Sequence, residues 1–325
     1  MKQILRGVCM IALVALAFTS CKKEDENNAK SFYATAQTMV TEDRAYMEGN
    51  MTNFEEGDQM LMYNVNYDDA NQTYYGIYFA DFDGHTVQYT YSSGNIKNHG
   101  IRNANGAFFG FYPAEIVDNG YLHTHANEVM FEIAPIQTYR QKAGYVALPD
   151  EAMAMACKVA DQDVLMDNEF KFKNIMGVLH LVLKSNTNKV VTSIVYEDAA
   201  FNVSGRAHVQ IDKVDPNLML TLLNNYGQPG NDAAIANYIT NCGWYVDDAG
   251  IGLKGKTMTL DCGEGVQLSK TAKHFYICLR PLAARNGMTI TVNFSEGEPY
   301  VISTTNPNNM IRPNEMTDMP TLTVG

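Results

Sequence analysis

After residue 30, short runs of alternating apolar and polar residues recur along the chain, separated by Gly, Asn, Asp and Pro. A period of two is the mark of a half-buried strand, because successive side chains point to opposite faces of a sheet. The pattern predicts strands over Ser31–Gln37, Gln59–Val65, Tyr74–Phe79 and Thr86–Tyr91. Val87, Tyr89 and Tyr91 there alternate with Thr86, Gln88 and Thr90. Asp83-Gly84 between the last two runs reads as a hairpin turn. Further strands are predicted over Ala107–Tyr112, which stops at Pro113, and over Glu128–Ile133. Turn signals every ten or so residues suit a sandwich.

Residues 137–168 break this rhythm. Pro149-Asp150-Glu151 followed by Ala152–Ala156 predicts a short helical or irregular connection, with acids at its start and good helix formers behind. A domain boundary is placed at 165, giving an N-terminal β-sandwich over 31–165 and a C-terminal one over 166–325. The second opens at Phe170–Phe172. Val178–Leu183 (VLHLVL) is a continuous apolar run fit for a strand buried on both faces. Val190–Tyr196, Ala207–Ile211, Met258–Leu260, Lys273–Leu279, Met288–Phe294 and Tyr300–Thr304 continue the series. Arg285-Asn286-Gly287 marks a hairpin between the Lys273 and Met288 strands. Asn217–Asn225 fits a helix or a strand. No fixed-length repeat points to a propeller or solenoid.

The first residues follow a different plan. Lys2 and Arg6 precede an apolar run over Val8–Phe18, which is short for a membrane span, and Thr19-Ser20-Cys21 follows. This is the layout of a secretory signal peptide. A cysteine directly after small residues resembles a bacterial lipobox, so residues 1–21 are expected to be a leader with Cys21 acylated. Several acyl chains anchor firmly, each buried methylene contributing about 0.8 kcal/mol. Residues 22–30 begin Lys-Lys-Glu-Asp-Glu-Asn-Asn and read as a flexible tether.

The chain has 325 residues, with 46% hydrophobic and 18% charged, enough for two folded units and unlike a disordered polymer. Its net charge is −12, and loss of Lys2 and Arg6 would take it to −14. Such a chain lacks the cationic surface that displaces counterions from nucleic acid. Beyond Cys9 in the leader and Cys21, the cysteines are Cys157, Cys242, Cys262 and Cys278, with no CxxC spacing. Cys278 lies in an apolar run and reads as a small buried hydrophobe, whereas Cys242 with Cys262 is open as a disulfide in an oxidising compartment.

The signatures of chemistry are weak. There is no P-loop, GxSxG elbow or HExxH. His123 and His125 could share a strand face, but two histidines alone rarely make a metal site. His180 inside VLHLVL reads as a satisfied core histidine. Asp68-Asp69 and Asp247-Asp248 are adjacent pairs that would point to opposite strand faces, unlike a glycosidase dyad. Asp161 and Asp163 lack the glycine and distal glutamate of a calcium loop. No catalytic residue, cofactor or metal is expected.

Several segments together resemble the fimbrillin-like (Mfa-like) lipoproteins of Bacteroidales, the pilins of type V pili. They are Phe54-Glu55-Glu56-Gly57-Asp58 before Met60–Tyr63, Phe109–Pro113, Leu148-Pro149-Asp150 with Met153-Ala154, and Phe170-x-Phe172-x-Asn174 before the Val178 strand. Phe275–Pro281 with Gly287–Val292 resembles a late hairpin, and an acidic cluster after the lipid cysteine resembles the family's surface-export signal. The resemblance implies an all-β protein of two transthyretin-like β-sandwich domains in tandem, without catalysis. It implies outer-membrane, surface-exposed fimbriae, with other fimbrillin-type subunits and host or bacterial surface ligands as partners. It also implies assembly by strand donation after a protease cuts behind a basic residue. Arg44 is the candidate for that cut; an ordinary surface arginine is the alternative. The candidate donor strand includes Met319, Thr321, Leu322, Thr323 and Val324 within Met316–Val324, unless this strand completes its own domain. A tail kept at home would suit a tip, anchor or accessory subunit. The competing functional class is a glycan-binding surface lipoprotein that does not polymerise; the single Trp244 argues mildly against it.

Overall fold

A computed structural model of the chain describes residues 32–36, 40–41, 53–66, 73–94, 106–117, 128–142, 145–149, 154–160, 169–210, 244–246, 255–284, 286–306 and 309–325. The protein is all-β. Among the described residues the one helical element is a 3₁₀ turn over Ala114–Ile116. The strands of the first half are β1 (Phe32–Ala36), β2 (Val40–Thr41), β3 (Gln59–Asn66), β4 (Thr73–Ala80), β5 (Thr86–Gly94), β6 (Gly106–Tyr112), β7 (Glu128–Ile133), β8 (Ile136–Thr138), β9 (Arg140–Lys142), β10 (Tyr145–Ala147), β11 (Met155–Ala160) and β12 (Glu169–Asn174). Those of the second are β13 (Gly177–Ser185), β14 (Val190–Asp198), β15 (Gly205–Gln210), β16 (Trp244–Val246), β17 (Thr257–Gln267), β18 (Lys273–Leu279), β19 (Leu282–Ala283), β20 (Met288–Phe294), β21 (Tyr300–Thr304), β22 (Met310–Ile311), β23 (Glu315–Asp318) and β24 (Leu322–Val324).

The alternation read from the sequence builds a closed barrel in the order β1-β12-β11-β6-β3-β4-β5, with β5 pairing back to β1. Its interior takes every second residue of these strands, including Phe32, Ala34, Met60, Met62, Tyr78, Val87, Tyr89, Met155, Phe170 and Phe172. Closure leaves no open edge, which removes the main aggregation hazard of a sheet. Gly110 of β6 is required here. A Cβ at this position would press into the Phe172 ring and stand 2.7 Å from Cys157 Sγ.

The second half packs two sheets face to face. One has the order β18-β13-β23-β2, with β24 also on β13; the other runs β21-β20-β14-β17-β8. Leu179, Leu181, Leu183, Phe275, Ile277 and Leu279 meet Ile194, Tyr196, Met258, Leu260, Ile290 and Val292 between them. Asp83-Gly84 does turn β4 into β5, and Gly84 also bridges to Phe54.

Three expectations are corrected. Ala152–Ala156 does not continue as a helix, because β11 starts at Met155 and pairs with β6 and β12. Its helix formers are weak preferences set against a ladder that buries Met155 and Cys157. The strands before and after Arg285–Gly287 form no hairpin: β18 pairs with β13 in one sheet and β20 with β14 and β21 in the other. β13 is fully buried on the Leu179–Leu181–Leu183 face, while His180 and Val182 on its other face are half-buried. Cys262, left open as a disulfide partner, is a free, buried thiol whose pKa burial pushes up to about 12; Cys242 lies outside the described residues.

Strand pairing also crosses residue 165. β12 with Phe170 and Phe172 closes the barrel against β1 and β11, while β7 and β8 pair with β15 and β17 of the second half. We predict that Gly110→Ala lowers the unfolding free energy by about 1–3 kcal/mol through overpacking against Phe172 and Cys157. Urea denaturation measures it.

Candidate strand-exchange site

β1 is a short strand with unusually good company. Phe32–Thr35 pair antiparallel with Thr86–Tyr89 of β5, and Tyr33–Ala36 pair parallel with Glu169–Phe172 of β12. Phe32, Ala34 and Ala36 point inward and are buried, whereas Tyr33 on the outer face is 48% exposed. The Phe32 ring lies 4.7 Å from Tyr78, 4.6 Å from Phe170 and 5.9 Å from Tyr89, centroid to centroid. One aromatic and two alanines therefore define a slot with one wide and two narrow pockets. Its floor is aromatic because Tyr78, Tyr89 and Phe170 are the inward residues of their own alternating strands.

The end of this slot is fixed by the Phe54–Asp58 turn. Phe54 is buried edge-on against Tyr89 and Tyr112, at 5.5 and 5.3 Å. Gly57 adopts φ +90°, a conformation that favours glycine. The Asp58 carboxylate accepts hydrogen bonds from the Glu55 N–H at 2.8 Å and the Tyr112 hydroxyl at 2.7 Å. Burial raises the Asp58 pKa, partly offset by the Tyr112 bond, and burial also raises that of Tyr112. The turn thus ties the entrance of β3 to the end of β6.

The chain then passes to the second half. β2 pairs parallel with Glu315 and Met316 of β23. Arg44 follows β2 by three residues and lies outside the described residues, as do Cys21, His123, His125 and the paired aspartates of the sequence analysis.

The candidate donor segment is seated in its own chain. β23 pairs parallel with Val178–His180, and β24 pairs parallel with Leu183–Ser185. Leu322 is half-buried, Val324 is fully buried, and Thr321 and Thr323 are exposed; Met319 packs against the core and donates its N–H to the His180 carbonyl. Pro320 lies between the two strands, which splits the single strand expected over Met316–Val324.

Three titratable side chains meet beside this tail. His180 Nδ1 is 2.5 Å from Asp318 Oδ1, and His180 Nε2 is 2.9 Å from His274 Nδ1. With Asp318 ionised, His180 Nδ1–H donates to the carboxylate and His274 Nδ1–H donates to His180 Nε2. The His180 ring also stacks on Tyr276 at 4.7 Å. His180 is therefore a satisfied histidine, as expected. His274 and Asp318 were not singled out beforehand, because their meeting depends on the register of β13 with β18 and β23. Among the described residues no group of three or more His, Cys, Asp or Glu is placed to hold a metal ion. No described helix is long and apolar enough to cross a membrane.

No family model matches the chain, and no curated protein matches it. Solved structures do. A protein of Bacteroides ovatus provisionally assigned to cell adhesion aligns over 91% of this chain and 92% of its own, at 10% identity and TM-score 0.53. One of Bacteroides uniformis, with the same provisional assignment, aligns over 90% and 92%, at 13% identity and TM-score 0.50. The chain has the fold of these two Bacteroides proteins. The tip fimbrial protein Mfa3 of Porphyromonas gingivalis also aligns, over 84% of this chain and 81% of its own, at 10% identity and TM-score 0.30.

Burial foremost lowers the His274 pKa below 6.5, and neighbouring His180 lowers it further, against the pull of Asp318. The fold thus favours neutral His274. Its contribution to stability is complete above about pH 6.5 and is lost as the pH falls from there through the folded value. We predict that unfolding midpoints drop as the pH falls below about 6.5, and that His274→Gln flattens this slope.

Proposed function

We propose that this protein is a structural or adhesive subunit of cell-surface fimbriae, without enzymatic activity, that assembles with sister subunits by strand donation. The observation that carries the reading is the position of β1. It is the first described strand, it precedes Arg44, and it fills a core slot between β5 and β12. A cut at Arg44 would leave the slot occupant held by pairing and packing alone. An extended segment from another subunit could then replace it, with main-chain hydrogen bonds supplying affinity and alternating pockets supplying specificity. Repeated between subunits, such a contact makes an open filament. The long overlap with Bacteroides structures of adhesion type supports the same reading.

In this proposal the barrel and the sandwich correspond to two tandem domains of transthyretin-like type, the first running from residue 31 and lending its last strand from beyond residue 165. Cys21 carries the lipid, residues 22–30 form the tether, and the protein sits on the outer face of the outer membrane. The home-paired tail supports a terminal role. A subunit that accepts a strand but keeps its own β24 ends a filament, as a tip, anchor or accessory subunit does.

The test is limited digestion of the purified protein by a trypsin-like protease, with mass spectrometry of the new N-terminus and electron microscopy with sister subunits. Cleavage after Arg44 and release of β1 are expected, together with incorporation into filaments. Arg44→Gln should block both. An intact β1 in every filament-borne copy would overturn the proposal. We also predict that Phe32→Ala costs about 3–5 kcal/mol of stability, since a buried aromatic is removed from a closed core. Thermal unfolding checks this.

A further inference from the structure

The berth of the N-terminal segment is longer than the β1 slot. β1 runs parallel to β12, from Tyr33 opposite Glu169 to Ala36 opposite Phe172. Further along, the same segment runs parallel to β23, with Val40 opposite Glu315 and Thr41 opposite Met316. These two partner strands are far apart in the chain, yet they are spliced. Asn174, the last residue of β12, donates its N–H to Asn314 Oδ1 at 3.3 Å, and the Asn314 N–H donates to the Met176 carbonyl at 2.9 Å. Asn314 stands immediately before Glu315 and adopts φ +54°, a left-handed conformation that asparagine tolerates. β12 and β23 thus form one rail of parallel backbone that crosses from barrel to sandwich at Asn314. The rail has its own support. β12 also pairs with β11, and β23 with Val178–His180 of β13. Met316 is buried with the barrel core, and the Glu315 carboxylate accepts a hydrogen bond from Arg312 Nη1 at 2.7 Å. The occupant is held unevenly. β1 has a ladder on each side and a buried ring, whereas β2 has two residues on one partner at the margin of its sheet. Such short edge elements open at the lowest free energy.

We propose that the β23 edge at Glu315 and Met316 is where an incoming strand first engages, and that the acceptor site spans the ten residues Phe32–Thr41 rather than the five of β1. This inference rests on the strand-donation reading above and adds the place and direction of entry. Arg44 lies three residues past β2, so a cut there frees the weakly held end of the occupant. An incoming strand takes the place of β2 on β23 and then displaces β1 from Ala36 back to Phe32. Once it is paired on β23, its attack on the slot is intramolecular and gains from effective concentration. The partner that fits is an extended segment of a sister subunit running in the direction of β1. It carries an aromatic residue for the wide pocket and small residues two and four places on, as Phe32, Ala34 and Ala36 do. Its chain continues past them far enough to reach β23.

The test uses the full chain nicked after Arg44 and two fluorescent peptides, residues 32–41 and residues 32–36 of this sequence. The longer peptide should replace the resident segment about tenfold faster than the shorter one. A third peptide, residues 32–41 with Val40→Pro and Thr41→Pro, lacks both N–H donors of β2 and should exchange no faster than the short one. In the protein, Asn314→Gly keeps the left-handed conformation accessible and deletes the Oδ1 that ties β23 to Asn174. It should slow the long peptide and leave the short one unchanged. Equal rates for the long and short peptides would overturn this inference while leaving strand donation standing. Equal slowing of both by Asn314→Gly would also overturn it, because the splice then acts on the barrel alone. Exchange of neither peptide would overturn strand donation itself, and this inference with it.

Discussion

Everything distinctive about this protein depends on β1 being paired on both sides. A sheet of β5, β4, β3, β6, β11 and β12 alone would end in two open edges. The five residues of β1 satisfy both edges at once, antiparallel on one and parallel on the other. They also bring the aromatic ring that fills the space above Tyr78, Tyr89 and Phe170. The same strand therefore supplies backbone hydrogen bonds, closure and core volume. Each of these alone would be replaceable; together they make β1 both necessary and specifically shaped.

The remainder of the architecture ties the barrel to the sandwich. β2 leaves the barrel and pairs with β23, so the N-terminal segment touches both halves. β12 ends the barrel, and β13, three residues on, opens the sandwich. Leu61, Phe109 and Phe111, on the outer face of the barrel strands, join the core of the second half. The barrel is thus not a bead on a string but is packed against its neighbour through the backs of β3 and β6.

What could be read from the residues was local. Val87 and Tyr89 alternate with polar neighbours and lie inside the barrel, and Asp83-Gly84 makes its turn. His180 has polar partners at both ring nitrogens. What could not be read was which strand lies beside which. β12 carries the same Phe-x-Phe alternation whether it pairs within the second half or with β1, so its membership in the barrel is invisible in the sequence. Met155 sits among helix formers, and only the ladder with β6 and β12 decides its conformation. Gln137 gives no hint in sequence that its amide stands in for a strand against Cys278, because that role is set by the approach of two separate sheets.

The parallel ladder between β1 and β12 has a kinetic side. β5 follows β1 after two other barrel strands, but β12 arrives far downstream, after every other wall of the barrel. Long-range, parallel contacts must meet the entropy of loop closure before they return any free energy, so they form late. During synthesis and export, β1 waits with at most half its partners while the other walls assemble. Its withdrawal opens two edges but leaves every other ladder of the barrel paired.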